Sequence, residues 1–272
     1  MHAAQHLLDQ FYAAVKTKGD LQPFIRRVRD LVLLRVSEDY VFVIACDSNA
    51  SIGQKEHDYH KRDYKEVGRC ASKVPLMEVI AAGAYPIVVI DNLCVEMEPS
   101  GRGILEGIRF EVERLGLDAD LVITGSTEKN MVTTQTGLGV TVIGLARHDE
   151  LKIGVSQPGD LVVCVGFPKS APTKPFFEGE PDIMDPPSTR KLRKCDFVHE
   201  VIPVGSGGVR YEMGVLAEES GCSFVEVESI VDMTHSAGPS TCVLATIPEQ
   251  FLSVLRERMT HPVNPVGYLV AK

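Results

Sequence analysis

Apolar and polar positions repeat with two different periods along this chain. His6 to Val15 carries apolar residues at helical spacing and predicts a short amphipathic helix. Leu31 to Arg35 and Tyr40 to Cys46 predict two strands, because the apolar residues between Ser37-Glu38-Asp39 and Asp47 are β-branched and aromatic. The second strand empties into Asp47 to Lys55, which reads as a small-residue loop and not as a continuing strand. Helical spacing returns over Glu66 to Ala82, with Gly83 as its stop and Pro86 just beyond. Ile87 to Ile90 is a wholly apolar, branched run, so a buried strand ending at Asp91 is expected. Gly103 to Leu115 predicts a helix closed by Gly116. Leu121 to Ile123 predicts a strand leading into a Thr124 to Asn130 loop, and Leu138 to Leu145 predicts another strand.

The pattern breaks near His148 to Pro158, which divides the chain into 1–150 and 151–272. Beyond it, Asp160 to Val165 reads as a strand. Phe167 to Arg190 holds six prolines and few branched apolar residues, and is expected to be a long mobile loop of the kind that often serves function. Tyr211 to Ser220 reads as a helix, Phe224 to Ile230 and Thr241 to Thr246 as strands, and Pro248 to Met259 as a closing helix. Strands alternating with helices predict an α/β or α+β layered arrangement.

Composition narrows the picture. At 272 residues the chain exceeds the usual size of one domain, and its 44% hydrophobic content is enough for real cores. A net charge of −9 argues against a nucleic-acid surface. The one dense basic run, Arg190, Lys191, Arg193 and Lys194, reads as a solvated loop. Seven cysteines without a C-x-x-C pair suggest neither zinc nor a disulfide framework, and fit reduced thiols in the cytosol. No apolar run is long enough to span a bilayer.

Candidate chemistry sits where apolar strands end. Asp47, Asp91 and the Ser126-Thr127-Glu128 group occupy such ends, the edge at which ligands bind in layered α/β folds. Carboxylates gathered there repel one another unless a cation lies between them, and Mg²⁺ favours hard oxygen donors shared with phosphates. The same residue types are common in turns after strands, where they hydrogen-bond nearby backbone, so both readings stay open. Gly53-Gln54-Lys55 offers a glycine and an ammonium to a phosphate without forming a Walker A motif. Gly205-Ser206-Gly207-Gly208 is either an anion-facing loop before a helix or a flexible turn. His57 and His60 with Asp58 and Asp63, and Cys195 with His199, are weaker candidates for a metal and for a nucleophile with its base.

These segments together resemble the aminoimidazole ribonucleotide synthetase (PurM-like) superfamily. Gly83-Ala84-Tyr85-Pro86 through Asp91 is similar to its Gly-Ala-x-Pro, apolar strand, Asp segment. Glu78 stands at the family's acidic position. Asp47 through Lys55 is similar to its Asp-Gly-Val-Gly-Thr-Lys loop with residues inserted, and Thr124 to Thr127 resembles its Gly-Gly-Asp/Glu-Thr motif. Pro158 to Gly166 and Ala237 to Pro248 match the family's second half more loosely. Ser126 stands where the family has an acid, with Glu128 two residues on, and an Asp-x-x-Asp-Gly motif has no counterpart.

The resemblance implies an α+β fold of two domains. The first, 1–150, would bind ATP and Mg²⁺ and form a barrel shared across a homodimer; the second, 151–272, would be an α/β sandwich. It implies metal held by Asp47, Glu78 and Asp91, with Asp47 and Lys55 catalytic. Gly53, Lys55, Asp91, Gly125, Ser126, Thr127 and Glu128 would meet the cofactor. The Asp47 to Lys55 loop, Asn92 to Pro99 and Thr124 to Glu128 further resemble the α-ribazole kinase branch. That branch implies a cytoplasmic kinase that phosphorylates a riboside, α-ribazole, in cobamide lower-loop salvage, with neither nucleic acid nor membrane as partner. The alternatives are another PurM-like enzyme that activates an amide or a small phosphate-bearing substrate, and a degenerate nucleotide-binding scaffold without turnover.

Overall fold

The computed structural model describes residues 2–272, and side chains from residue 6 onward. The first half runs α1 (His2–Thr17), β1 (Ile25–Val28), β2 (Leu31–Arg35), β3 (Tyr40–Ala50), β4 (Ile52–Gly53), β5 (His60–Lys61), α2 (Tyr64–Ala81), β6 (Tyr85–Leu93), α3 (Arg102–Arg114), α4 (Ala119–Val122), β7 (Ile123–Thr127) and β8 (Gly137–Arg147). The second half runs β9 (Leu161–Gly166), α5 (Pro186–Arg193), β10 (Glu200–Pro203), α6 (Gly208–Glu219), β11 (Cys222–Glu226), β12 (Cys242–Ile247), α7 (Leu252–Arg258) and β13 (Val263–Ala271). It is a mixed α+β fold. Six strands form a sheet in the order β1-β2-β3-β8-β6-β7, antiparallel except for β6 with β7. Five more form an antiparallel sheet, β10-β12-β9-β13-β11.

Strand alternation decides what each face of the first sheet meets. Val41, Val43 and Ala45 of β3, with Val140 and Val142 of β8, point into one core against α2 and α3. Phe42, Ile44, Ile143 and Leu145 point the other way and stay partly exposed, and Tyr85 in line with Leu145 is 66% exposed. One face of this sheet is therefore apolar and without a cover from the rest of the described chain. The second sheet has both faces covered: every residue of β9 and β12 is buried, with one apolar cluster on each side. Its two-sided burial explains why Leu161 to Val165 is an unbroken apolar run.

Helix α2 joins the halves. Asp63 caps it by accepting from the Lys65 amide, and it ends at Gly83, whose φ of +92° only glycine adopts cheaply. Val67, Ala71 and Val79 belong to the first core, whereas Met77 and Ala81 pack with Leu161, Val163 and Val165 of the second. Each fully buried valine, leucine or methionine among them stabilises the fold by about 1.5–3 kcal/mol. Helix α3 crosses α2 at Gly68 and Gly107, where a Cβ on Gly68 would lie 1.9 Å from Ile104 O.

Several expectations need correction. Asp47 to Ala50 is strand, not loop, because β8 is long enough to pair Val140 to Gly137 with it. Asp91 likewise lies inside β6, which continues to Leu93 against both β7 and β8. Leu121 sits in a helical turn capped by Asp118, is 80% exposed, and the strand begins only at Ile123. The strand expected over Phe224 to Ile230 covers Cys222–Glu226, where β13 ends its pairing. Phe167 to Arg190 is pinned: Phe176, Ile183 and Met184 are buried, and α5 begins at Pro186. The basic run lies on and just after α5, with the Arg190 guanidinium donating to Leu115 O. Strands β1, β10 and β13 carry no sequence pattern strong enough to announce them.

Candidate functional site

The two sheets meet at a cleft of about 420 Å³ beside α2. Asp47 and Asn49 reach it by continuing the face of β3 that, one turn of alternation earlier, buries Val43 and Ala45. Glu78 reaches it from α2, Asp30 from the turn between β1 and β2, and Glu212 from α6. Gly205 and Ser206 form part of the opposite wall, so the glycine-rich loop before α6 does face the cleft. The Gly205 amide, however, donates to Glu212 Oε1 at 3.4 Å.

Electrostatics mark this cleft. Burial pushes the Glu78 carboxyl up to about 8, opposed by Arg29 and reinforced by Glu212, Asp30 and Asp47. Burial likewise raises Glu212 to about 7 and moves Asp47 upward. Arg29 lies near, but its guanidinium is committed to Glu200 and to Glu219, the latter at 2.7 Å, tying the β1–β2 turn to the second sheet. Among the described residues Asn49 Oδ1 is buried without a hydrogen-bond partner. Four carboxyls, Asp30, Asp47, Glu78 and Glu212, line the cleft against two guanidiniums, Arg29 and Arg62, an excess of acid that favours a cation.

The other expected site residues lie elsewhere. Asp91 is 3% exposed, is pushed up to about 6 by burial, and lines a second pocket with Gly125, Ser126 and Thr127. Gly125 pairs with Asp91 across β6 and β7 so closely that a Cβ there would lie 2.2 Å from Asp91 O. Glu128 is tied into its own turn. Its amide donates to Leu93 O and Val95 O, and its carboxylate accepts from the Asn130 and Met131 amides, which lowers its pKa. Lys55 Nζ is held by Glu96 Oε2 at 2.6 Å. Glu96, pushed up by burial, is overcome by hydrogen bonds from Lys55 and Ser100 and falls to about 2. Gly53 packs against Thr136 and Asp58.

The structure thus brings Asp47 and Glu78 together and sets Asp91 apart in another pocket of the same chain. No group of three His, Cys, Asp or Glu side chains among the described residues could cage a metal. Asp58 accepts from the Lys55 and Thr136 amides, Asp63 caps α2, and the His57–His60 pair gathers no ligand set. Cys195 Sγ contacts Lys191 O while His199 pairs with Asp160, so they form no nucleophile and base. Sequence reasoning missed Asp30 and Glu212. Asp30 looks like an ordinary turn residue, and Glu212 like one acid on a helix surface; only the closing of the two sheets brings them together.

Residues 28–146 match the family model described as AIR synthase related protein, N-terminal domain. Among curated proteins no sequence matches the chain. Solved structures share the fold. Thiamine-monophosphate kinase from Stenotrophomonas maltophilia K279a superposes with a TM-score of 0.63 at 15% identity, over 98% of this chain and 93% of that one. Hydrogenase maturation protein HypE in complex with ATP gives 0.59 at 16% identity, over 84% and 77%. T. maritima PurL complexed with ATP gives 0.60 at 15% identity over 96% of this chain, which spans 46% of PurL. The family model and the fold both support the AIR synthase-related, PurM-like resemblance. Neither selects the α-ribazole kinase branch.

Proposed function

We propose that the chain is a cytoplasmic ATP-dependent phosphotransferase that uses Mg²⁺ and acts on a riboside, α-ribazole being the first candidate. The acidic cleft carries the reading: Asp47 and Glu78 both line it, and their carboxylate oxygens are hard donors. This donor set fits Mg²⁺, which takes one or two carboxylates and completes its shell with phosphates and water. When bound, the ion would neutralise charge on the phosphates. The chain's own residues then do the rest. Asp47 and Glu78 would hold the ion against the phosphates, and the exposed Ser206 hydroxyl offers a polar contact to an acceptor in the same cleft. No helix of the described residues is long and apolar enough to cross a membrane.

The same reading includes a homodimer. The apolar, half-exposed face of the six-stranded sheet needs a cover, and a second copy of that face would supply one. Asp91 and the Thr124 to Thr127 strand would then complete a site only in the assembled form.

Incubation with Mg²⁺-ATP and a panel of ribosides tests the proposal; ADP together with a riboside heavier by one phosphoryl group is the expected product. ADP with free phosphate and an activated amide would instead point to another PurM-like reaction. The engagement of Lys55 by Glu96 favours one further reading, a nucleotide-binding scaffold. Calorimetric binding of Mg²⁺-ATP without turnover on any acceptor would select it.

A further inference from the structure

A third cavity, of about 220 Å³, lies where the end of α2, the start of β6 and the end of α5 meet. Its floor is apolar: Ile80, Ala84, Pro86, Leu115 and Leu117. Its rim carries Arg190, Arg193 and Lys194 from the last turn and cap of α5. Of the 28 Lys and Arg side chains, 12 pair with a carboxylate within 4.0 Å among the described residues. These three do not. Among the described residues none of them lies within 4.0 Å of an acidic oxygen. Arg190 spends one nitrogen on Leu115 O, and Arg193 spends one on Val198 O and His199 O, so further guanidinium donors remain on each. The Lys194 side chain is exposed at the mouth. Cations at a helix C-terminus complement the dipole, but that accounts for the charges alone and not for the apolar cavity they surround.

We propose that this cavity is a binding site for a small amphipathic anion, an apolar body bearing a carboxylate or phosphate. The apolar part would bury against Ile80, Ala84 and Leu117, and the oxyanion would take the free donors of Arg190 and Arg193 with Lys194 alongside. Guanidinium groups suit either oxyanion through paired N–H donors. The site is independent of the acidic cleft and of the reaction proposed there.

Titration calorimetry of the full chain with benzoate and with phenyl phosphate, beside the neutral benzamide and benzyl alcohol, tests the site. Both anions, or one of them, are expected to bind at least about tenfold more tightly than the neutral probes, as a charge-assisted contact requires. The stronger of the two identifies the oxyanion. Lys194→Glu is expected to weaken anion binding by about tenfold or more at an unchanged melting temperature, since its side chain is exposed. Arg190→Gln should also weaken anion binding, and Asp47→Asn should leave binding unaltered. Equal affinity for the neutral probes, binding indifferent to Lys194→Glu, loss of binding in Asp47→Asn, or no binding by a fully folded chain would each overturn the assignment. None of these readouts depends on whether ATP is used.

Discussion

Asp47 occupies the point where one face of β3 stops being core and becomes cleft, so its side chain tests the site without touching the fold's interior. Asp47→Asn is expected to lower ATP turnover by at least about 100-fold while the melting temperature holds, the scale of loss when a preorganised charge is removed. Full activity would remove Asp47 from the site. Acidity is a second residue-scale test. Burial raises Glu78 from 4.5 to about 8 and Glu212 from 4.5 to about 7. The folded chain therefore binds more protons than the unfolded one between those values, and stability must fall as pH rises across that window. Urea unfolding of metal-free protein at its two ends should show this, and Glu78→Gln should flatten the slope. Gly125→Ala places a methyl within 2.4 Å of Asp91 Cγ, and should cost about 1–3 kcal/mol of stability, visible in thermal melts, through overpacking.

At the scale of elements, α2 does most of the organising. It buries Lys73, with no exposure at all, against Glu178 from the segment between β9 and α5, Nζ to Oε1 at 3.1 Å. Cys70 Sγ also reaches Glu178, and the Arg62 guanidinium donates to Phe176 O. The segment expected to be a long mobile loop is in fact latched to the helix that carries Glu78. Glu178→Ala strands a buried ammonium and is expected to cost about 3–5 kcal/mol in urea unfolding, whereas Lys73→Met with Glu178→Leu should recover much of it. A single change no worse than an ordinary surface substitution would show that the latch is open in solution.

For the whole molecule, the exposed apolar face of the first sheet sets the question of assembly. If two such faces close on each other, Ile143→Asp should convert dimer to monomer in analytical ultracentrifugation, because it buries a charge at the centre of the contact. A wild-type chain already monomeric at micromolar concentration would rule out this use of the face.

Local pattern alone determined α2, α3, β2 and the buried run of β9, because period and capping chemistry are properties of a few neighbouring residues. It also marked Asp47 and Asp91 as acids at the ends of apolar segments, whereas Glu78 was named only by the family resemblance. Tertiary structure decided the rest. Small residues at Asp47 to Ala50 form strand only because β8 offers partners, and β13 exists only as the bridge between β9 and β11. The grouping of Asp47 and Glu78 with Asp30 and Glu212, and the placing of Asp91 in another pocket, follow from how two sheets close around α2. No spacing along the chain encodes that distance, since it is set by packing between segments far apart in sequence.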